Sequence, residues 1–287
     1  MREEILKRQN EDQMLKIQYS ARGCYNRAEQ LGNMAWVCCA ISAVSLIIPE
    51  SVPVGYQIIA PIIFDILALL LSKMQDDSVG QAAEFRAYFD AYVLGINDNY
   101  KQHERDRIIG DAIEYCEKHI KKSEVEIKNT GFDNPPGVRD WYDLKASKEN
   151  TSSNEVIFEC QKQNAWWDER LSKKRIKLLS ALSAILLIAV IAIIILANNY
   201  IVIRIVLSSA LIVKAIERVM AEHKYIVKSN IIDGAISVMR DKPNTSSIEE
   251  LQKMINEKRR CNVVGINMIH KRNANPLSRI YQSRRNG

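Results

Sequence analysis

Glycine and histidine are scarce in this sequence, and the scarcity limits the chemistry it can perform. Only 11 of the 287 residues are glycine, which argues against a glycine-rich cradle for phosphates. No Gly-x-x-x-x-Gly-Lys-[Ser/Thr], Gly-x-Gly-x-x-Gly or Gly-x-Ser-x-Gly run occurs. The four histidines, His103, His119, His223 and His270, form no His-Glu-x-x-His pattern. The six cysteines, Cys24, Cys38, Cys39, Cys116, Cys160 and Cys261, include no Cys-x-x-Cys pair and no cluster at metal-ligand spacing. They read as small apolar fillers on the reducing side of a membrane. Internal repeats are absent, as are Asn-Gly turns within a β pattern, so little or no sheet is expected. The expectation is a protein that is not an enzyme and uses no metal and no cofactor.

What the chain does have is bunched apolar sequence. Between Leu178 and Ala197, 18 of 20 residues are apolar and none is charged. A helix of that length rises ~30 Å, the thickness of the bilayer hydrocarbon. Three further runs qualify less cleanly: about Leu31 to Ile48, about Val54 to Leu71 and about Tyr200 to Ile216. Pro49-Glu50-Ser51-Val52-Pro53 joins the first pair and Asn198-Asn199 the second, short enough to force two antiparallel hairpins. The fold class expected is an all-α membrane protein, four transmembrane helices in two hairpins with a helical cytosolic domain. The segments are a cytosolic N-terminal amphipathic helix (1–33), hairpin one (34–72), a cytosolic helical sensor domain (73–177), hairpin two (178–216) and a basic helical C-terminal region (217–287).

Orientation follows from lysine and arginine. The two connecting turns hold none, whereas residues 1–33 hold 6, residues 73–177 hold 18 and residues 214–287 hold 15. By the positive-inside rule both termini and the middle region face the cytoplasm. The first apolar run begins about 30 residues in, behind a charged stretch, so no cleaved leader is expected. Residues 214–287 carry a net charge of +8, and no acidic residue follows Glu257. Two partners suit that tail: the anionic inner leaflet or an anionic ligand.

The cytosolic segments read as helices. Val79, Ala82, Phe85, Phe89, Tyr92, Val93 and Ile96 form one face of a helix continuing from the second span, ending near Gly95 and Asn97. Ile108, Ala112, Cys116 and Ile120 mark a second helix. A long loop spans Asn129 to Asn154 around Pro135-Pro136-Gly137. A third helix, about Glu155 to Lys177, runs into the third span, with Asn164 on its apolar face. After the fourth span a helix continues through Arg240 and breaks at Asp241-Lys242-Pro243-Asn244; Ser247-Ile248-Glu249-Glu250 reads as a capping box opening the next.

Asp65 lies about 11 residues from the outer end of the second span, ~16 Å deep by helix rise. A carboxylate at that depth needs a partner or water. It either pairs with Arg204 or Lys214 (or stays protonated), or lines a water-filled path as part of an acidic ring that favours cations. Pro61, one turn earlier, removes a backbone hydrogen bond and invites a kink, static or gating.

Four short motifs carry a resemblance. They are Arg8-Gln9-Asn10-Glu11; Phe89-Asp90-Ala91-Tyr92-Val93-Leu94-Gly95; Asp140-Trp141-Tyr142; and Cys160-Gln161-x-x-Asn164-x-x-Trp167-Asp168-x-x-Leu171. In this order, and set around two membrane hairpins, they resemble the SMODS-and-SLOG-associating four-transmembrane effector family over roughly residues 8–285. The chain departs from the family pattern after Gly95, where Ile96-Asn97-Asp98 follows, and after Tyr142, where Asp143 follows. The resemblance implies a pore-forming effector of CBASS anti-phage defence in the bacterial inner membrane. A cyclic oligonucleotide second messenger would open it and so kill the infected cell. It also implies a homo-oligomer, for which a tetramer is one candidate, and no DNA partner.

A cyclic oligonucleotide needs cations for its phosphates and flat surfaces for its bases. Arg86, Trp141, Tyr142, Asn164 and Arg170 are the candidate ligand pocket; Asp65 and Pro61 are the candidate pore or gate. The competing reading of the aromatics is the core of the cytosolic domain, with Asn164 as a hydrogen-bonded core polar group. Arg8 to Glu11 are expected to dock the N-terminal helix against that domain. Two other functions fit the residues: a constitutive or differently triggered membrane toxin, and a small scaffold or transporter without a pore. A transporter is disfavoured by the lack of inverted repeats.

Overall fold

The computed structural model describes residues 1–44, 53–131, 133–144, 151–165, 201–239 and 243–261, with a few helical positions between 181 and 192. The described elements are all helical: α1 (Arg2–Arg8), α2 (Asp12–Val44), α3 (Val54–Leu94), α4 (Gln102–Lys118), α5 (Ile120–Lys128), α6 (153–165), α7 (Ile201–Met239) and α8 (Thr245–Arg259). The sole pairing of strand type among them is an isolated bridge between Thr130 and Arg139.

Two long helices organise the molecule. The 33 residues of α2 and 41 of α3 give rods of roughly 50 and 60 Å at 1.5 Å per residue, well beyond the ~30 Å of a bilayer core. Each is apolar at one end and polar at the other, so each projects a polar helical arm beyond its apolar part. They pack along their length through small side chains, Ala28 against Val79 and Cys39 against Ala68, with Leu211 of α7 joining the latter pair. Gly32 permits the approach of Gln75, whose Oε1 would sit 2.8 Å from an added Cβ.

The apolar half of α3 points outward. Among the described residues one helix is long and apolar enough to cross a membrane by length and composition, within Ile58–Leu94, and only 17% of its most apolar window is buried. Ile59, Ile62, Ile63 and Ile66 are about half exposed, as are Met34 and Val37 on α2. Leaving such a side chain in water forfeits ~1.5–3 kcal/mol, so this surface is built for lipid. Of the other expected spans, the first is described to Val44. The third lies mostly outside the described residues, and the backbone of the fourth forms the start of α7.

The polar arms of α2 and α3 carry the main core. Phe85, Phe89 and Val93 of α3 meet Ile5, Met14 and Ile17, while Ile108 of α4, Tyr142 of the loop, Val156 of α6 and Ile248 of α8 close around them. The α3 arm ends where the sequence predicted: Gly95 is left-handed (φ 68°), donates its N–H to the Ala91 carbonyl (3.0 Å), and is followed by Asn97 at φ 51°. The α7 helix runs to Met239, one residue short of the expected Arg240, which lies outside the described residues.

Two local expectations are corrected. Ile120 does not continue the α4 face. His119 breaks the helix at φ −129°, and Ile120 opens α5 with over half its surface exposed. The cap of α8 is Asn244, not Ser247: Asn244 Oδ1 accepts from the Ser247 N–H (2.8 Å), and Ser247 Oγ accepts from the Asn244 N–H (3.2 Å). Asparagine is as good a cap as serine, and it gains the reciprocal bond.

The 129–139 loop is shaped by Gly137. A Cβ there would stand 1.8 Å from the Asn129 carbonyl oxygen, a backbone atom that cannot swing aside. Gly137→Ala is expected to cost roughly 1–3 kcal/mol, read as a lowered melting temperature. Gly110→Ala on α4, with nothing within 4 Å of the new Cβ, is expected to be neutral or to stabilise by up to ~1 kcal/mol.

All six cysteines are free, and Cys24, Cys39, Cys116 and Cys160 are buried. Burial pushes the Cys24 thiol up to about 11, with Arg27 opposing. Alkylation of the folded protein at pH 8 is therefore expected to label Cys261 well before Cys24, as mass spectrometry of the digest can read.

Candidate functional site

The described parts of the four sequence motifs meet at one place. At its centre is Asp90, on the α3 arm and fully buried. Its Oδ1 accepts from the Tyr142 hydroxyl (2.6 Å). Its Oδ2 accepts from Gln252 Nε2 (2.8 Å) and Arg259 Nη1 (2.7 Å), both on α8. The Tyr142 hydroxyl in turn accepts from Asn164 Nδ2 on α6 (3.1 Å). Gln161 Nε2, also on α6, donates to Gln252 Oε1 (3.1 Å) and to the Ile248 carbonyl (3.0 Å). One carboxylate thus joins α3, α6, α8 and the loop.

The electrostatics follow from burial. Burial works against the Arg259 charge, but Asp90, and Tyr142 behind it, outweigh that and hold the guanidinium above its ordinary pKa. Burial first, and then Asp90, push the Tyr142 phenol well above 10. The group stays a neutral donor, as its bond to a carboxylate requires.

The N-terminal motif locks onto the same assembly, residue by residue. Arg8 Nη1 donates to the Tyr92 carbonyl (3.3 Å), and Glu11 Oε2 accepts from the Tyr92 hydroxyl (2.7 Å). Gln9 serves both sides of one loop residue: its Oε1 accepts from the Tyr142 N–H (2.8 Å) and its Nε2 donates to the Tyr142 carbonyl (3.3 Å). Asn10 does the same to Asp140, with bonds of 2.8 Å to the carboxylate and 3.1 Å from the N–H. On the other flank Gln163 Oε1 accepts from the Asp143 N–H and its Nε2 donates to the Trp141 carbonyl, each at 3.2 Å. Side-chain amides thereby supply the partners that a strand would otherwise give this irregular backbone. The expected docking of Arg8 to Glu11 is observed, onto the arm of α3 and the 140–142 loop.

Of the candidate pocket residues, four come together. The Arg86 guanidinium lies 3.9 Å above the Trp141 ring and donates to Gln18 Oε1. Burial, and repulsion by Arg259, lower its pKa to about 10. Tyr142 has no exposed surface and its hydroxyl is engaged, so a base reaches its ring only if the core opens. Trp141 and Asn164 keep part of their surface accessible. Arg170 lies outside the described residues, as do Trp166 and Trp167. Among the described residues no group of acidic, cysteine or histidine side chains is arranged to hold a metal.

Asp90, Gln9, Gln161, Gln252 and Arg259 were not singled out as site residues from the sequence. Asp90 had a signal, being an acid inside the apolar face that includes Phe85, Phe89 and Val93. Gln252 and Arg259 had none, because their partner lies more than 160 residues away.

The pore candidates sit on α3. Pro61 is buried within the helix. Asp65 is partly buried, one turn from the Ala68 contact with Cys39 and Leu211, and its Oδ1 has no hydrogen-bond partner among the described residues. Lys214 does not take it: its Nζ donates to Ser72 Oγ. The Arg204 side chain lies outside the described residues.

The family model for the SMODS-associating 4TM effector domain matches residues 3–277. The chain belongs to that family. Its match spans the apolar helices and all four motif segments. No curated protein and no solved structure matches the chain. Family membership together with the outward apolar face of α3 makes this member a membrane protein.

Proposed function

We propose that this family member is a ligand-gated, pore-forming effector of CBASS-type bacterial antiviral defence. A cyclic oligonucleotide second messenger opens it, and the open pore disrupts the inner membrane and kills the infected cell. It crosses the membrane four times in two hairpins with both termini cytoplasmic, it acts without covalent chemistry, and several copies enclose the path. The observation that carries the reading is the Asp90 junction. Its carboxylate ties the α3 arm, continuous with an apolar helix, to the loop, to α6 and to α8. The Gln9 and Asn10 amides bring in α2, which follows them directly in the chain. A ligand that rearranges this network pulls on the inner ends of the helices in the membrane. Arg86, Trp141, Tyr142 and Asn164 then belong to the relay, and Asp65 and Pro61 to the path and its gate.

The test is dye and ion release from liposomes holding the purified full chain, with a panel of cyclic di- and trinucleotides. Release with one nucleotide alone is expected. Release without any nucleotide would replace gating with a constitutive toxin, and no release from folded protein would favour a scaffold or transporter.

A further inference from the structure

A basin of about 590 Å³ opens between α2, α4 and α5. Ligand sites have volumes of about 300–1,000 Å³. Four cations line it, Arg22, Arg27, Lys118 and Lys122, against three carboxylates. One of those three, Asp111, already pairs with Arg107 (3.3 Å), which does not line the basin. The other two are engaged inside the basin, Glu114 with Lys118 and Glu126 with Arg22 (3.4 Å) and Lys122 (3.6 Å), so four cations there face two carboxylates. A flat surface stands beside it: Tyr115 and His119 stack with centroids 4.6 Å apart, and Tyr19 leans on Tyr115 at 6.1 Å. Gly23 makes room for this arrangement, since a Cβ there would lie 2.2 Å from the Tyr115 hydroxyl.

The basin connects to the junction through Arg22. Its Nη1 donates to the Pro136 carbonyl (2.7 Å) and its Nη2 to the Gly137 carbonyl (2.6 Å), with Glu126 Oε2 at 3.4 Å. Three residues further along the loop are Asp140 to Tyr142, held by Asn10, Gln9 and Asp90. An anion in the basin competes for this guanidinium with two neutral carbonyls and with Glu126, whose 3.4 Å contact is the longest of the three and which also faces Lys122 (3.6 Å); an ionic partner holds a guanidinium more strongly than a carbonyl does. Arg22 then releases the loop that the junction holds.

We infer that the α2–α4–α5 basin is a phosphodiester site, its anion held by Arg22, Arg27, Lys118 and Lys122, with Tyr115 and His119 offering a face to a base. The inference builds on the gated-effector reading and names its ligand site. The same chemistry comes from two sources, a cyclic oligonucleotide and the headgroup of an anionic lipid. The latter is near, because Arg27 is ~10 Å by helix rise from the expected start of the first span at Met34.

The experiment measures binding to the full chain in phosphatidylcholine nanodiscs. One arm uses cyclic di-AMP, cyclic di-GMP, cyclic GMP-AMP and cyclic triadenylate. The other uses dioctanoyl phosphatidylglycerol. The variant Arg27→Ala/Lys118→Ala alters only exposed rim side chains, and an unchanged melting temperature verifies its fold. Expected is saturable binding of one cyclic nucleotide, weakened at least tenfold in the variant. Nucleotide binding unaltered by the rim variant overturns the basin and leaves the gated-effector reading standing. Rim-dependent binding of phosphatidylglycerol alone supports the basin as a lipid site and removes it as the messenger's. No binding in either arm overturns the inference.

Discussion

Asp90→Ala is expected to destabilise the helical core around it by about 3–5 kcal/mol, the usual cost of removing one partner from a buried ion pair. The substitution leaves Arg259, whose side chain is 11% exposed, with a buried charge and no carboxylate. It also strips the Tyr142 hydroxyl of its acceptor, an unsatisfied group worth ~1–3 kcal/mol when buried, and leaves Gln252 Nε2 with Asn256 Oδ1 (3.1 Å). Arg259→Ala should cost a similar amount. The double variant should cost clearly less than the sum, because the second change removes the charge that the first stranded. Thermal melts of the four proteins in one detergent give the cycle. Additive losses would mean that the pair is not coupled and that the junction is a set of independent contacts.

The second large effect concerns Asp65. An ionised carboxylate within a span is costly, and one carboxylate oxygen here has no hydrogen-bond partner among the described residues. If it borders the path, copies from several subunits concentrate cations there, as acidic clefts do by tenfold or more. Asp65→Asn keeps the shape and removes the charge. The open pore is then expected to lose about tenfold in cation-over-anion preference while its melting temperature stays level or rises. A shift in reversal potential across a salt gradient reads the first, and a melt the second. An unchanged reversal potential would return Asp65 to a purely structural place in the helix packing.

Much of the fold was legible because its signals are local. The apolar run of α3, or a glycine closing a helical face at Gly95, speaks without a partner. The capping box was misplaced because Asn244 and Ser247 are both good caps, and only the reciprocal bond decides between them. Ile120 fitted the α4 periodicity, yet His119 turned the chain there. Pattern reports a face only while the helix continues. The junction was half legible. The motifs marked Gln9, Asp90, Tyr142 and Asn164, and the aromatic residues suggested a stacking pocket. The structure instead fills Tyr142's surroundings with core and hydrogen bonds. Which acid meets which arginine across 169 residues is set by tertiary packing, and no spacing rule encodes it.

The central claim is that a nucleotide acts on the spans by loosening the loop from the junction. Hydrogen exchange at residues 136–144, in nanodiscs with and without the nucleotide that triggers release, tests it most directly. The N–H groups of Asp140, Tyr142 and Asp143 are each held by a side-chain amide, from Asn10, Gln9 and Gln163. They report the network rather than a helix. The account predicts that these amides are protected in the resting protein and exchange faster once the nucleotide binds. Pore opening with their protection unchanged would contradict it.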